Sequence, residues 1–276
     1  MKSLVRNHKC VVSVLLTLFT LSLQCLIYEQ EVNAQVLSAG EPRTVRLIYY
    51  LPNGRSYRAE VIEEIKTGIL EVQSFFADQM EAHGHGRKTF QIETDDRGDP
   101  IVHRVDENDE DRFDFSANNF LIVRDDGQRS GHGVTLSSGK NGGRAIIYGG
   151  WDWFAAGHEL GHAFGLEHDF RDNTYLMSYG RADQESAQLS ACAAESLVVN
   201  PYFNATIPLK DGTPPTIEFL APTDTEYALG TQSITIRARF KDSDGLHQVL
   251  LLPKRVALGA EGFEMKACRK LAGEKI

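Results

Sequence analysis

Cysteine is scarce in this chain of 276 residues: four occur, and two of them, Cys10 and Cys25, sit in an apolar stretch near the amino end. The other two, Cys192 and Cys268, cannot make a disulfide framework, which excludes a small stapled domain. One bridge and two buried thiols both stay open for them. Basic clusters are missing as well. Lys and Arg number 29 against 38 Asp and Glu, a formal charge of -9, and no Lys/Arg-rich cluster follows the first ten residues. Without that electrostatic footprint for a phosphate backbone, no nucleic acid is expected as a partner. A second long apolar run is also lacking, so nothing beyond the amino end reads as a membrane span. With 24% charged and 42% hydrophobic residues the chain is neither disordered nor fibrous, and its length allows one large domain or two modest ones.

The apolar stretch itself, residues 10–27 (CVVSVLLTLFTLSLQCLI), is uncharged and follows Lys2, Arg6 and Lys9. That is the layout of a secretory signal peptide, and Val32-Asn33-Ala34 places a cleavage after Ala34. Residues 1–34 are therefore expected to be removed, leaving a secreted, periplasmic or cell-surface protein with no stable membrane span. The competing reading is an uncleaved N-terminal anchor. The run just reaches spanning length, but its Ser, Thr and Gln content weakens it as a span. Cys25 preceded by Gln24 does not suit a lipid-modified terminus.

Residues 44–51 (TVRLIYYL) carry the β-branched and aromatic content of a buried strand, ended by Pro52-Asn53-Gly54. Val61, Ile65, Ile69, Val72, Phe76 and Met80 then recur at spacings of three and four, one face of a helix that stops at His83-Gly84-His85-Gly86. Residues 90–94, 120–123 and 145–148 read as further strands, with an acidic loop at 106–114. A second helix begins near Trp153 and a third spans about 190–199, closed by Asn200-Pro201. This order predicts an α/β or α+β layer arrangement with a mixed sheet over residues 41–205. Residues 206–215, with Thr213-Pro214-Pro215, read as a linker. Beyond it the period changes to two, as at Ile234, Ile236, Ala238 and Phe240, and residues 216–220, 247–252 and 262–268 are more candidate strands. Residues 216–276 resemble a partial all-β Ig-like sandwich, too short to close a module of about 100 residues.

The chemistry is concentrated in residues 158–168, HELGHAFGLEH. His158 and His162 are four apart, so on a helix both project from one face and can share a metal. Gly165, three residues later, can take a positive φ, end the helix and return the chain so that His168 reaches the same ion. Three neutral imidazoles leave the fourth position of a tetrahedral zinc for water, the arrangement of a catalytic site. In a chain of this composition HExxH alone arises by chance in about one case in 50, and the full eleven-residue pattern in roughly one in 10,000.

That pattern, followed by Tyr175-Leu176-Met177-Ser178-Tyr179, resembles the metzincin metallopeptidases with their Met-turn. The resemblance spans about residues 41–205, with specific identity confined to 158–179. It implies His158, His162 and His168 as ligands of one catalytic Zn2+, Glu159 as general base, Met177 as the apolar floor beneath the metal, and Tyr179 as a zinc-proximal or transition-state group. Branch cues conflict: Asp169 after the third histidine resembles adamalysins or reprolysins, Met-Ser-Tyr resembles serralysins and astacins, and HELGH is common in matrixins. The matrixin cysteine switch is absent.

The expected activity is hydrolysis of peptide bonds in a protein or peptide substrate by a secreted zinc endopeptidase. The extended substrate is expected to add a strand to a sheet edge, for which residues 133–136 are the candidate against a plain surface loop. The alternatives are an exported, non-catalytic zinc-binding or adhesion protein that works through its Ig-like module, and zinc amidohydrolysis of a non-protein substrate. Glu159 weighs against the first, because a structural site has no need of a base. His83 and His85 read as a solvated helix end, and His103, His132 and His247 as lone residues without ligand spacing. Calcium is a further candidate ion that no spacing supports: the run at 106–111 (DENDED) lacks the EF-hand pattern and its glycine, and Asp242-Ser243-Asp244-Gly245 reads as a turn. Oligomeric state leaves no signature in the sequence.

Overall fold

The long helix sets the frame of the molecule because its apolar stripe is continuous over six turns. In the computed structural model α1 runs Ala59–Ala82 and buries Val61, Ile65, Ile69, Val72, Phe76 and Met80, the face that the spacing predicts. Gly68 lies on the same face against the ring of Trp151, where a side chain would have no room. The structure describes residues 11–16, 21–26, 43–107, 113, 118–127, 132–136, 142–180, 182–205, 215–222, 231–243, 245–252 and 265–271.

Two short strands, β1 (Val11–Leu16) and β2 (Leu21–Leu26), pair antiparallel within the apolar stretch near the amino end. The cleavage site expected at Ala34 lies outside the described residues. No helix among the described residues is long and apolar enough to cross a membrane.

The chain divides into two compact units, one of residues 35–167 and 172–208, the other of residues 1–34, 168–171 and 209–276. In the first, β3 (Thr44–Leu51) pairs in parallel with β4 (Gln91–Ile92) and β5 (Val102–Asp106) along one side and with β6 (Asn119–Arg124) along the other. Beyond β6 lies parallel β8 (Gly143–Tyr148), and β7 (His132–Leu136) closes that side antiparallel to β8. Residues 133–136 are thus an edge strand and not a surface loop. β5 is an element that the apolar pattern does not announce, since in VHRVD only Val105 is buried. Asp106 accordingly ends a strand instead of opening the acidic loop, most of which lies outside the described residues.

Alternation along β3 sends Leu47, Tyr49 and Leu51 into the large core under the helices and Ile48 and Tyr50 to the opposite face, where Phe120 and Ile122 join them. The helix-side core is aromatic where α1 meets the end of α2 (Trp153–Ala163): Phe76, Phe90, Phe164 and Phe203 pack with ring centroids 5.1–6.1 Å apart. α3 (Ala191–Val198) is started by Ser190, whose hydroxyl accepts from Ala193 N at 3.2 Å. Cys192 on this helix is disulfide-bonded.

In the second unit β9 (Thr216–Ala221) pairs with β10 (Arg237–Lys241), and β11 (Gln248–Leu251) with β12 (Ala267–Lys270), both antiparallel. Each pair is a separate two-stranded sheet, so the described residues show two ribbons and not the expected Ig-like sandwich. Ile234 and Ile236 precede β10 instead of lying in it, and residues 262–264 lie outside the described residues. Cys268 on β12 is disulfide-bonded, so neither of the two downstream cysteines is a free thiol.

Candidate active site

The site is built on α2 because both of its ends are fixed. Asp152 caps the start, its Oδ1 accepting from Ala155 N at 2.7 Å. At the other end Gly165 has φ 86°, its N–H reaching His162 O at 2.7 Å while Leu166 N reaches Gly161 O at 2.9 Å. This is a Schellman close, and the positive φ explains why glycine stands there. The carbonyls left over by the helix are met by side chains: Asn119 Nδ2 donates to Ala163 O at 3.1 Å and Asn200 Nδ2 to Phe164 O at 2.7 Å.

His158, His162 and His168 form a group whose ligand atoms all lie within 4.8 Å of one another, and no other such group of three occurs among the described residues. His158 donates from Nδ1 to Leu176 O at 2.7 Å, and His162 from Nδ1 to Leu166 O at 2.9 Å. A carbonyl only accepts, so both rings carry their proton on Nδ1 and present a lone pair at Nε2. The two Nε2 atoms are 3.2 Å apart. Two nitrogens on one tetrahedral zinc at about 2.0–2.1 Å would be separated by about 3.3 Å, so the donors fit that ion. Backbone carbonyls fixing the far ring nitrogens are the usual outer support of such ligands. Phe154 stacks on His158 at 5.8 Å, and His168 stacks on Phe170 at 5.1 Å while its carbonyl accepts from Met265 N at 2.8 Å. Asp169 is buried and held by Arg171, whose Nε and Nη2 reach its two oxygens at 2.7 and 2.6 Å.

The segment carrying Met177 is held by a turn, Ser178 N to Tyr175 O at 2.9 Å, and by a paired exchange in which Leu176 N bonds Gln188 O at 2.8 Å and Gln188 N bonds Thr174 O at 2.9 Å. Met177 is buried and lies against Gly161, where a Cβ would fall 3.2 Å from its Cε. Tyr179 is 69% exposed, with its ring centroid 6.1 Å from that of His158. Desolvation and the nearby charge of Glu159 push its hydroxyl pKa up.

Glu159 is buried, and that burial raises its pKa, opposed by a hydrogen bond from Thr135. Thr135 Oγ1 lies 2.7 Å from Glu159 Oε2 and 2.9 Å from Glu159 O. Gly133, also on β7, lies so close that a Cβ there would sit 2.7 Å from Glu159 Oε1. Residues 133–136 have the pattern of an edge strand, but nothing in the sequence links Thr135 or Gly133 to Glu159. That link depends on β7 crossing α2, 24 residues away in the chain, and a short motif carries no trace of it.

His83, His85 and His103 have partners outside this group. His83 Nε2 bonds Leu189 O at 2.8 Å, and His85 Nε2 lies 3.6 Å from Glu195 Oε2. His85 is therefore packed at the helix end, not solvated there. His103 Nε2 is 2.7 Å from Glu93 Oε2.

Among the solved structures that resemble the chain are three of OgpA from Akkermansia muciniphila. Two are crystal forms of the wild type: one at 14% identity and TM-score 0.54, covering 88% of this chain and 84% of that one, the other at 13% and 0.55, covering 88% and 83%. The third is a catalytically inactive OgpA in complex with an O-glycopeptide substrate, glycodrosocin, at 13% identity and TM-score 0.54, covering 88% and 84%. At such identities the likeness shows the fold alone. No curated protein matches the chain. Residues 108–205 match Reprolysin_5, described as Metallo-peptidase family M12. That match over the stretch holding HELGHAFGLEH, together with the clustered histidines, supports a zinc metallopeptidase.

Proposed function

We propose that the chain is a secreted zinc-dependent endopeptidase with Glu159 as general base. The observation that carries this reading is the convergence of His158, His162 and His168 beside a buried carboxylate. His158, His162 and His168 would hold a zinc ion, which would supply Lewis acidity and lower the pKa of water towards about 7. Glu159 takes the proton from the water that attacks the scissile carbonyl and passes it to the leaving amine. The hydroxyl of Tyr179 donates to the oxygen on which charge develops, and Met177 with Gly161 gives the site its apolar floor. The substrate lies extended along the outer edge of β7, where Val134 and Leu136 are exposed.

Export by the leader and a boundary near residue 205 complete the reading. A non-catalytic zinc protein does not account for Glu159, which is buried next to the ligands at the cost of desolvation. The test is cleavage of a peptide library, with O-glycosylated peptides included because a similar fold holds one, with and without chelator. Cleavage is expected to depend on zinc, and Glu159→Gln is expected to keep about one zinc per chain and lose at least a hundredfold in kcat. Undiminished proteolysis by that variant would overturn the assignment.

A further inference from the structure

We infer that the edge strand β7 is itself part of the catalytic apparatus, with Thr135 and Gly133 as the residues that position the base Glu159. The inference rests on the peptidase reading above and deepens it. Residues 133 and 135 share one face of β7, turned to α2, while Val134 and Leu136 share the other. On the first face both neighbours act on one carboxylate. The hydroxyl of Thr135, with a single proton to give, lies 2.7 Å from Oε2 and 2.9 Å from Glu159 O. A bond to an ionised oxygen is the stronger of the two, so Oε2 is held. Oε1 is left as the oxygen that can receive a proton, and it lies over Gly133, where a Cβ would come within 2.7 Å. Glu159 is buried among these groups and has little freedom to turn away. The strand that docks the substrate therefore also sets the rotamer of the base, so both reacting partners take their position from one backbone. A general base displaced by about 1 Å loses on the order of a hundredfold in rate.

The test compares Thr135→Val, Thr135→Ser and Gly133→Ala with the parent, each full-length and zinc-loaded, on one cleaved peptide. Thr135→Val keeps the shape and removes the hydroxyl, and kcat is expected to fall ten- to a hundredfold with KM within twofold and zinc content unchanged. Thr135→Ser restores the hydroxyl and is expected within about threefold of the parent. Gly133→Ala keeps Thr135 but crowds Oε1, and kcat is expected to fall at least tenfold. Unchanged kcat in both Thr135→Val and Gly133→Ala overturns the inference, as does Thr135→Ser falling as far as Thr135→Val. A rise in KM with kcat unchanged also overturns it, since it would make Thr135 a substrate contact. Glu159→Gln, measured alongside, separates the two levels: full activity there sinks the peptidase mechanism itself, whereas an inactive Glu159→Gln beside fully active Thr135→Val and Gly133→Ala sinks only the role of β7.

Discussion

Gly161 and Met177 meet across the floor of the candidate site: a Cβ on Gly161 would lie 3.2 Å from the methionine Cε, with the sulfur closer still. Two effects compete in Gly161→Ala. In a free helix the change gains up to about 1 kcal/mol. Here the added methyl is forced into a buried side chain, and overpacking costs about 1–3 kcal/mol. The second effect wins because Met177 is only 1% exposed and has nowhere to retreat. A urea titration is expected to show Gly161→Ala destabilised by about 1 kcal/mol, and Gly161→Ala combined with Met177→Ala to lose less than the sum of the two single variants. An additive double variant would mean that the two residues do not press on each other.

Metal removal is the second prediction. The lone pairs that His158 and His162 turn towards each other, 3.2 Å apart, repel unless a cation lies between them. Binding to the native state alone stabilises by about 4 kcal/mol at a thousandfold excess over Kd. Exhaustive chelation is expected to lower the melting temperature by several degrees and zinc to restore it, while His162→Ala neither binds zinc nor responds to chelator. An identical melt before and after complete metal removal would count against the site.

Much of this was legible in the chain itself because it rests on local periodicity. The stripe from Val61 to Met80, the buried strand at 44–51 and the HELGHAFGLEH spacing each encode their structure within a few turns. What stayed hidden depends on contacts remote in sequence. β5 pairs through its backbone with β3, a register that VHRVD does not advertise with apolar residues. Thr135 looks like any β-branched residue until β7 is laid across α2. The alternation at 234–240 suggested a sandwich, but period two marks only a strand with two unlike faces, and it is equally at home in the isolated ribbon of β9 and β10.

Acid stability supplies the third prediction. Glu93 accepts from Arg46 Nε at 2.8 Å and Nη2 at 2.9 Å, and this bonding, with His103 adding to it against the effect of burial, holds its pKa at about 2 instead of 4.5. A depressed carboxylate stabilises the fold above its unfolded pKa and loses that contribution as pH falls from about 4.5 towards 2. Arg46 is 33% exposed, so solvent screening leaves about 1 kcal/mol. Glu93→Gln is expected to be less stable than the parent at pH 7 and to converge on it between pH 4.5 and 2. Urea midpoints across that range check it, and a gap that stays constant with pH would refute it.

The last prediction concerns Asp125, fully buried beyond the end of β6. Its Oδ2 accepts from Tyr49 Oη at 2.7 Å and Arg58 Nε at 2.8 Å, and its Oδ1 from Arg58 Nη2 at 2.7 Å. Burial pushes the carboxyl up, yet these bonds together outweigh it and the pKa is lowered. Burial and the Asp125 bond raise the Tyr49 hydroxyl to about 12, so it stays a donor. Asp125→Asn is nearly isosteric, but its amide would turn N–H groups towards Arg58, which has only protons to offer, or towards Tyr49, whose hydroxyl donates to this position and already accepts from Arg58 N at 3.3 Å. Breaking a buried ion pair on one side costs about 3–5 kcal/mol. The lower figure applies because Arg58 is 41% exposed and regains water. Arg58 also stands at the N-cap of α1 without a side-chain cap bond, so its hold on Asp125 ties the start of that helix to β6. Asp125→Asn is therefore expected to lose about 3 kcal/mol in urea and to show faster amide exchange in the first turn of α1, whereas a loss under 1 kcal/mol with unchanged exchange would show that the pair does not anchor the helix.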